Sequence, residues 1–233
     1  NNVDIVFHLA AKNCISDCQL DPVKTARINV EGTVNVFEAG KQAAVKKIVY
    51  AESSAIYEGS SFFPTPEEDE NPESFYAVSK MAGKLFADAY NRFSELSLIA
   101  LRYFNVYGPK QDEKRFIPNT ILGCLRDKNF PCSSGNQLRD LCYIEDVVEC
   151  WLRASKSNSC LNLCINIGTG IPTKVKKLIS IIRKKIPGIK YYLSKPTKGD
   201  QNFIVGDNGL LRSKLGIKKF LSVEEGLELF ISS

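Results

Sequence analysis

Tyr76 and Lys80 stand four residues apart in the run Tyr76-Ala77-Val78-Ser79-Lys80. On a helix that spacing puts both side chains on one face. An ammonium beside a phenol favours the phenolate and lowers its pKa from ~10, and a phenolate is a base able to take a proton from a sugar or alcohol hydroxyl. The spacing alone is weak: nine tyrosines and 22 lysines in 233 residues make about one such pair by chance. A second pair, Tyr191 with Lys195, lies on a strand-like segment that runs into Pro196, so its side chains would not share a helical face. Tyr76 has better context. Its helix follows a strand and the serine-rich turn Ser53-Ser54-Ala55-Ile56-Tyr57. A hydroxyl at the end of a parallel strand is where α/β sheets present ligand-binding groups.

The elements that must position these groups alternate. Val3 to Leu9 is a short apolar run, read as a buried parallel strand. Asp21-Pro22 starts a helix, since Asp is a good N-cap and Pro suits the first helical position. That helix runs to about Ala44, with Ile28, Val34, Phe37 and Val45 expected on its inner stripe. Lys47 to Ala51 is the next strand, Ser53 to Glu73 a loop, Ser74 to about Arg92 a helix, and Leu98 to Tyr103 a third strand. Beyond Gly108-Pro109 come helices near 116–126 and 145–154, a core strand at 163–167, a basic helix capped by Thr173 and ending at Pro187-Gly188, and a last helix from Val223 to Ile231. Strands alternating with helices predict a parallel sheet with right-handed crossovers.

Composition excludes several classes. With 44% apolar and 24% charged residues the chain can bury a core and is not disordered. No apolar run approaches the ~20 residues of a membrane span, and no signal-peptide pattern opens the sequence. The net charge of +5 is spread out. Its densest patches, Lys174-Lys176-Lys177 and Arg183-Lys184-Lys185, lie on one predicted helix and read as a solvated face rather than a nucleic-acid surface. A modest positive field also suits an anionic small substrate. The eight cysteines include no Cys-x-x-Cys, and His8 is the single histidine. No metal site is expected, and free thiols fit a reducing cytoplasm.

Eight motifs in one order resemble a known family. They are His8-Leu9-Ala10-Ala11, Asn29-Val30-Glu31-Gly32-Thr33, the Ser53 to Tyr57 turn, Tyr76 to Lys80, Leu101 to Pro109, Arg139-Asp140, Tyr143 to Val147, and Asn166 to Gly170. Together they resemble the extended short-chain dehydrogenase/reductases, specifically the NAD-dependent nucleotide-sugar epimerases and dehydratases, and most of all the 4-epimerases of UDP-glucose and UDP-N-acetylglucosamine. The resemblance implies an α/β chain: a Rossmann-like doubly wound parallel sheet with a smaller α+β substrate-binding domain. Residues 1–108 and 140–170 would form the remainder of the NAD-binding domain, and 109–139 with 171–233 the substrate-binding domain. In the family a Gly-x-x-Gly-x-x-Gly turn cradles the NAD pyrophosphate. The sequence looks N-terminally truncated, starting at the family's fourth strand, so that only the nicotinamide side of the cofactor site would lie within it.

The same resemblance implies roles. Tyr76 would be the base, Ser53 would bond the same sugar oxygen, and Lys80 would bind the nicotinamide ribose and lower the Tyr76 pKa. Leu9, Ala10, Ala11, Lys12, Asn13, Asn29 and Phe104 would line the cofactor. Ser53, Ser54, Asn105, Arg139 and Lys198 would meet the substrate, a UDP-sugar, with Asn105 and Arg139 holding its diphosphate. Two departures stand out. Where family members carry Arg before a Gly-Asp pair, this chain has Thr197 and Lys198 before Gly199-Asp200, and the usual glycine after the Tyr57 position is Glu58. The dehydratase branch places Asp and Glu where Ser54 and Ala55 stand, which leaves water loss without its acid and base. A cytoplasmic, homodimeric 4-epimerase of polysaccharide precursors, working through a transient 4-keto sugar, is the expected activity. A nucleotide-sugar reductase, decarboxylase or dehydratase, or a non-catalytic binding module, are the alternatives. Outward apolar residues such as Leu85, Phe86 and Tyr90 mark the expected dimer face.

Overall fold

The computed structural model describes residues 3–125, 130–132, 134–186, 191–193 and 202–233. Four short apolar runs pair as a parallel sheet in the order β1 (Ile5–His8), β2 (Lys47–Ser53), β3 (Ser97–Tyr103) and β7 (Cys164–Ile167). Alternate residues of β2 and β3 face opposite layers. Ile48, Tyr50, Leu98 and Ala100 pack on Phe37 and Ala87, from helices α3 (Gly32–Gln42) and α4 (Phe75–Phe93). Val49, Ile99 and Leu101 pack on Trp151 and Ala154 of α6 (Ile144–Lys156) and on Leu211 of α8 (Gly209–Leu215). Helices cover both faces of the sheet, which is the doubly wound arrangement that continuous apolar strands require.

A second cluster lies apart from the sheet. Strands β4 (Asn105–Tyr107) and β6 (Leu138–Tyr143) pair in parallel, and β8 (Pro172–Lys174) and β10 (Phe203–Ile204) flank β6. Tyr107, Leu141 and Tyr143 pack there with Ile117 and Ile121 of α5 (Phe116–Leu125), with Leu178 and Ile182 of α7 (Val175–Lys185), and with Leu227 of α9 (Val223–Ser232). A short parallel pair, β5 (Phe130–Cys132) with β9 (Tyr191–Leu193), completes the strands of the described residues.

Three local expectations change. The helix begun at Pro22 is not uniform: α2 (Pro22–Ala26) passes through a π turn, Arg27–Glu31, into α3. The extra residue of the wider turn rotates the buried stripe onto Thr25, Asn29, Thr33 and Phe37, leaving Ile28 exposed. An additional helix, α1 (Ile15–Leu20), precedes it; Cys14 at its N-cap makes no capping side-chain bond, so the sequence carries no start signal. Thr173 does not cap α7. It pairs with Arg139 as part of β8, and Lys174 occupies the N-cap.

Candidate active site

The turn at the end of β2 is built by its own serine. Ser53 is extended and its Oγ accepts the Ala55 N–H at 3.2 Å, opening the 3-10 turn Ser54–Tyr57. The α4 helix starts at Ser74, whose Oγ accepts the Ala77 N–H at 3.1 Å. Glu58 secures that start. Its Oε2 accepts the Ser74 N–H at 2.6 Å and the Glu73 N–H at 3.2 Å, while its Oε1 accepts the Ser74 hydroxyl at 2.8 Å. A carboxylate at a helix N-terminus also meets the positive end of the helix dipole. The departure from glycine at this position is thus a clamp. Glu58 has ordinary right-handed backbone angles, and the close approach moves to Gly59, where a Cβ would collide with the Asn71 side chain.

Tyr76 is buried in the first turn of α4, and the Ser53 hydroxyl lies near enough to its phenol to favour the ionised form. Burial pushes the phenol above its usual range and the Glu52 charge adds to that, while the Ser53 hydroxyl pulls it back in part. The lowering expected from Lys80 is absent, so that expectation is corrected. Lys80 is half-buried and donates from Nζ to the Ala51 carbonyl at 2.9 Å. Burial pushes its ammonium pKa down, and the Glu52 charge counters that. Desolvation therefore governs both members of the pair.

The loop after β1 lies over this site. Leu9, Ala10 and Asn13 are exposed, while Ala11 and Lys12 are half-buried. Asn29, in the π turn, is 2% exposed and its amide grips the loop. Its Oδ1 accepts the Lys12 N–H at 2.7 Å, and its Nδ2 donates to the Lys12 carbonyl at 2.9 Å and to Ser79 Oγ at 2.9 Å. Ser79 in turn donates to the Tyr76 carbonyl at 2.7 Å. One hydrogen-bonded chain thus fixes the loop against the helix of Tyr76 and Lys80. Lys80 uses one of three N–H donors on Ala51, so its remaining donors suit a vicinal diol at the open loop, which fits the nicotinamide-ribose end of NAD.

The other expected residues sit as follows. Phe104 is 7% exposed and stacks on Tyr57 at 6.0 Å between centroids, against Gly168 and Gly206. Ser54 is buried in the turn. Asn105 and Arg139 lie on the neighbouring strands β4 and β6, and Asn105 Nδ2 donates to the Asp140 carbonyl at 3.1 Å. Tyr191 is in strand β9, as its segment reads. Lys198, Thr197, Gly199, Asp200 and Lys195 lie outside the described residues. Among the described residues no His/Cys/Asp/Glu cluster could hold a metal.

Sequence reasoning missed a buried ionic network beneath the turn. Arg102 has no exposed side chain; its Nε pairs with Glu52, its Nη2 with Glu70 at 2.5 Å, and its Nη1 reaches the Tyr57 hydroxyl. Tyr57 donates to Asn166 Oδ1 at 2.7 Å. These residues come from four separate segments, so no spacing in the sequence signals them. Asp140 was visible only as part of a motif. Its carboxylate accepts from Thr169 N at 2.7 Å, Thr169 Oγ1 at 2.6 Å and Gly170 N at 3.0 Å, joining β6 to the end of β7.

Residues 1–168 match the model of the NAD dependent epimerase/dehydratase family. A putative UDP-glucose 4-epimerase of Methanocaldococcus jannaschii is 34% identical over 241 residues, covering 99% of this chain and 77% of that protein. The crystal structure of UDP-glucose 4-epimerase from Thermotoga maritima with UDP-glucose superposes with a TM-score of 0.92 at 31% identity, over 98% of this chain and 76% of that one. MoeE5 in complex with UDP-glucuronic acid and NAD superposes with a TM-score of 0.93 at 32% identity, over 100% and 79%. With nearly three quarters of its length inside the family model and its fold shared with solved epimerases, the chain belongs to the NAD dependent epimerase/dehydratase family.

Proposed function

We propose that the protein epimerises a UDP-linked hexose at C4. The observation that carries the reading is the meeting of Ser53, Tyr76 and Lys80 at the end of β2, beside the loop after β1. NAD, when bound, accepts a hydride from the sugar carbon and returns it. Tyr76 takes the proton of the 4-hydroxyl as the 4-keto sugar forms, and gives it back when the hydride returns to the other face. Ser53 bonds the same oxygen and steadies the phenolate. Lys80, held at the Ala51 carbonyl, presents its ammonium to the nicotinamide ribose. The loop 9–13, clamped through Asn29, bounds the cofactor side, and Phe104 packs behind the turn. Asn105, Arg139, Ser54 and Lys198 are the residues proposed for the nucleotide and its diphosphate.

Epimerisation is favoured over dehydration because Ser54 and Ala55 supply no carboxylate after Ser53, and the adjacent Glu52 is committed to Arg102. Tyr76→Phe keeps the ring and removes the base, so kcat should fall by ~10²–10⁴-fold while folding is preserved. Full activity in that variant, measured on UDP-glucose with NAD, would remove the reading.

A cofactor unit, 1–108 with 140–170, and a substrate unit, 109–139 with 171–233, are proposed; the cluster around Leu178 and Leu227 is centred in the second and takes in Tyr107, Leu141 and Tyr143 of the first. A homodimer is proposed through α2, α3 and α4. Val23, Val30, Val34 and Phe86 line an apolar groove there, edged by Arg27 and Glu31, while Leu85 is exposed beside it. Tyr90, expected on that face, instead turns inward to Phe37 and donates to Glu38. Six free cysteines among the described residues support a reducing, cytoplasmic setting, and no helix of the described residues is long and apolar enough to cross a membrane. Supply of precursors for polysaccharide synthesis is the proposed cellular use.

A further inference from the structure

Glu52 lies between the two β2 residues that serve the site: Ala51, whose carbonyl holds Lys80 Nζ at 2.9 Å, and Ser53. Strand alternation turns its side chain away from theirs, into the layer of α4 with Tyr50. There the Glu52 side chain is fully buried. A carboxylate in such a place needs compensation, because burial disfavours its charge. Arg102, its register partner on β3, pairs through Nε with one oxygen, Oε2. The other, Oε1, accepts no hydrogen bond among the described residues.

Arg102 is itself shared. Its Nη2 pairs with Glu70 at 2.5 Å, and Lys84 reaches Glu70 at 3.4 Å and Asp88 at 2.9 Å. One guanidinium between two carboxylates leaves the Glu52 end of the cluster short of positive charge. The next cation on α4 is Lys80, one turn before Lys84, and its one bonded acceptor, the Ala51 carbonyl, is neutral. The neighbours from the other elements supply no charge at neutral pH. Burial pushes the pKa of His8 on β1 down, and those of Tyr50 on β2 and Cys164 on β7 up. Cys18 of α1, packed on Tyr76, is a buried thiol. In the loop before α4, Glu67 accepts the Asn166 N–H at 3.0 Å.

We infer that Glu52 is a positioning residue for Tyr76 and Lys80: its buried carboxylate, bonded by Arg102 on one oxygen only, is the counter-charge of the Lys80 ammonium. This rests on the roles proposed above for that pair and adds a third member to it. A negative charge here stabilises the Lys80 ammonium and opposes the Tyr76 phenolate. Both effects raise the pH at which the group gives up its proton. Glu52 therefore moves the whole working window, in which Tyr76 is ionised while Lys80 is still charged, toward higher pH.

The test is the pH dependence of kcat/KM on UDP-glucose, and of NAD affinity by calorimetry, in the full-length protein. In Glu52→Gln, which can still accept from Arg102, both limbs of the rate profile should move to lower pH by about 0.5–1 unit, the size of one charge removed at short range inside a protein. NAD affinity should begin to fall at a correspondingly lower pH. Glu52→Asp, which keeps the charge, should hold both limbs near their original positions. Glu70→Gln is the control: it removes the other carboxylate from Arg102 and should lower stability without moving either limb. Profiles that do not move in Glu52→Gln overturn the inference. So does an equal shift in Glu70→Gln, which would assign the effect to the Arg102 network as a whole. Should Glu52→Gln not fold, the double variant with Arg102→Gln, which leaves no guanidinium unpaired, is read for the same downward shift. Failure to turn over UDP-glucose in the unmodified protein would count against the epimerase reading alone, and the NAD profiles would still decide this one.

Discussion

His8, the single histidine, ends β1 with its Nε2 3.0 Å from Thr33 Oγ1. Burial pushes its pKa down, and the Lys80 charge pushes the same way. The unfolded chain takes up a proton here below pH ~6.5, and the folded chain only at lower pH. The stability His8 contributes is thus complete above that pH and is lost as pH falls toward the folded value. In His8→Gln, which can still bond Thr33, the fall in urea midpoint between about pH 7.5 and 5.5 should be smaller than in the unmodified protein. An identical fall would exonerate His8. The groups that could do chemistry were unequally legible at this scale. Tyr76, Lys80 and Ser53 are close in sequence or follow a strand end, so type and spacing point to them. The environment of Tyr76 is not legible, because burial governs its phenol and only packing reveals burial.

Element α4 depends on what precedes it. Glu58 accepts three hydrogen bonds at its N-terminus. Glu58→Ala should cost about 1–2 kcal/mol, as loss of a helix cap does, read from the urea midpoint. Because Tyr76 sits in the first turn, the same variant should lower kcat more than it raises KM. A stability loss with unaltered kinetics would show that Ser74 alone sets the register. The strands and most helices were readable because apolar runs, Asp-Pro and Ser caps are local signals. The π turn was not. It follows from where Asn29 must reach, to Lys12 and to Ser79 some 50 residues along the chain. The strand at Thr173 was hidden too, since pairing with Arg139 overrides the capping preference of threonine.

For the whole molecule, the groove on α2 and α3 with Phe86 of α4 predicts association. Light scattering should give a dimer, and Phe86→Glu, which places a charge in an apolar contact, should shift it toward monomer without loss of helicity. A monomer at high concentration before any substitution would refute the proposed interface. The two cores have a mechanical consequence. On β6, Cys142 is keyed into the sheet's core, while Leu141 and Tyr143 are keyed into the other; on β4, Val106 and Tyr107 divide in the same way. Close-packed interiors resist sliding, so a strand pair toothed into both cannot act as a shear plane. Nor can it serve as a free hinge, because bending it would unseat side chains on both sides at once. Any closing of the molecule around a ligand then falls to segments outside both cores, such as the loop after β1, where Asn13 meets Arg115 at the start of α5.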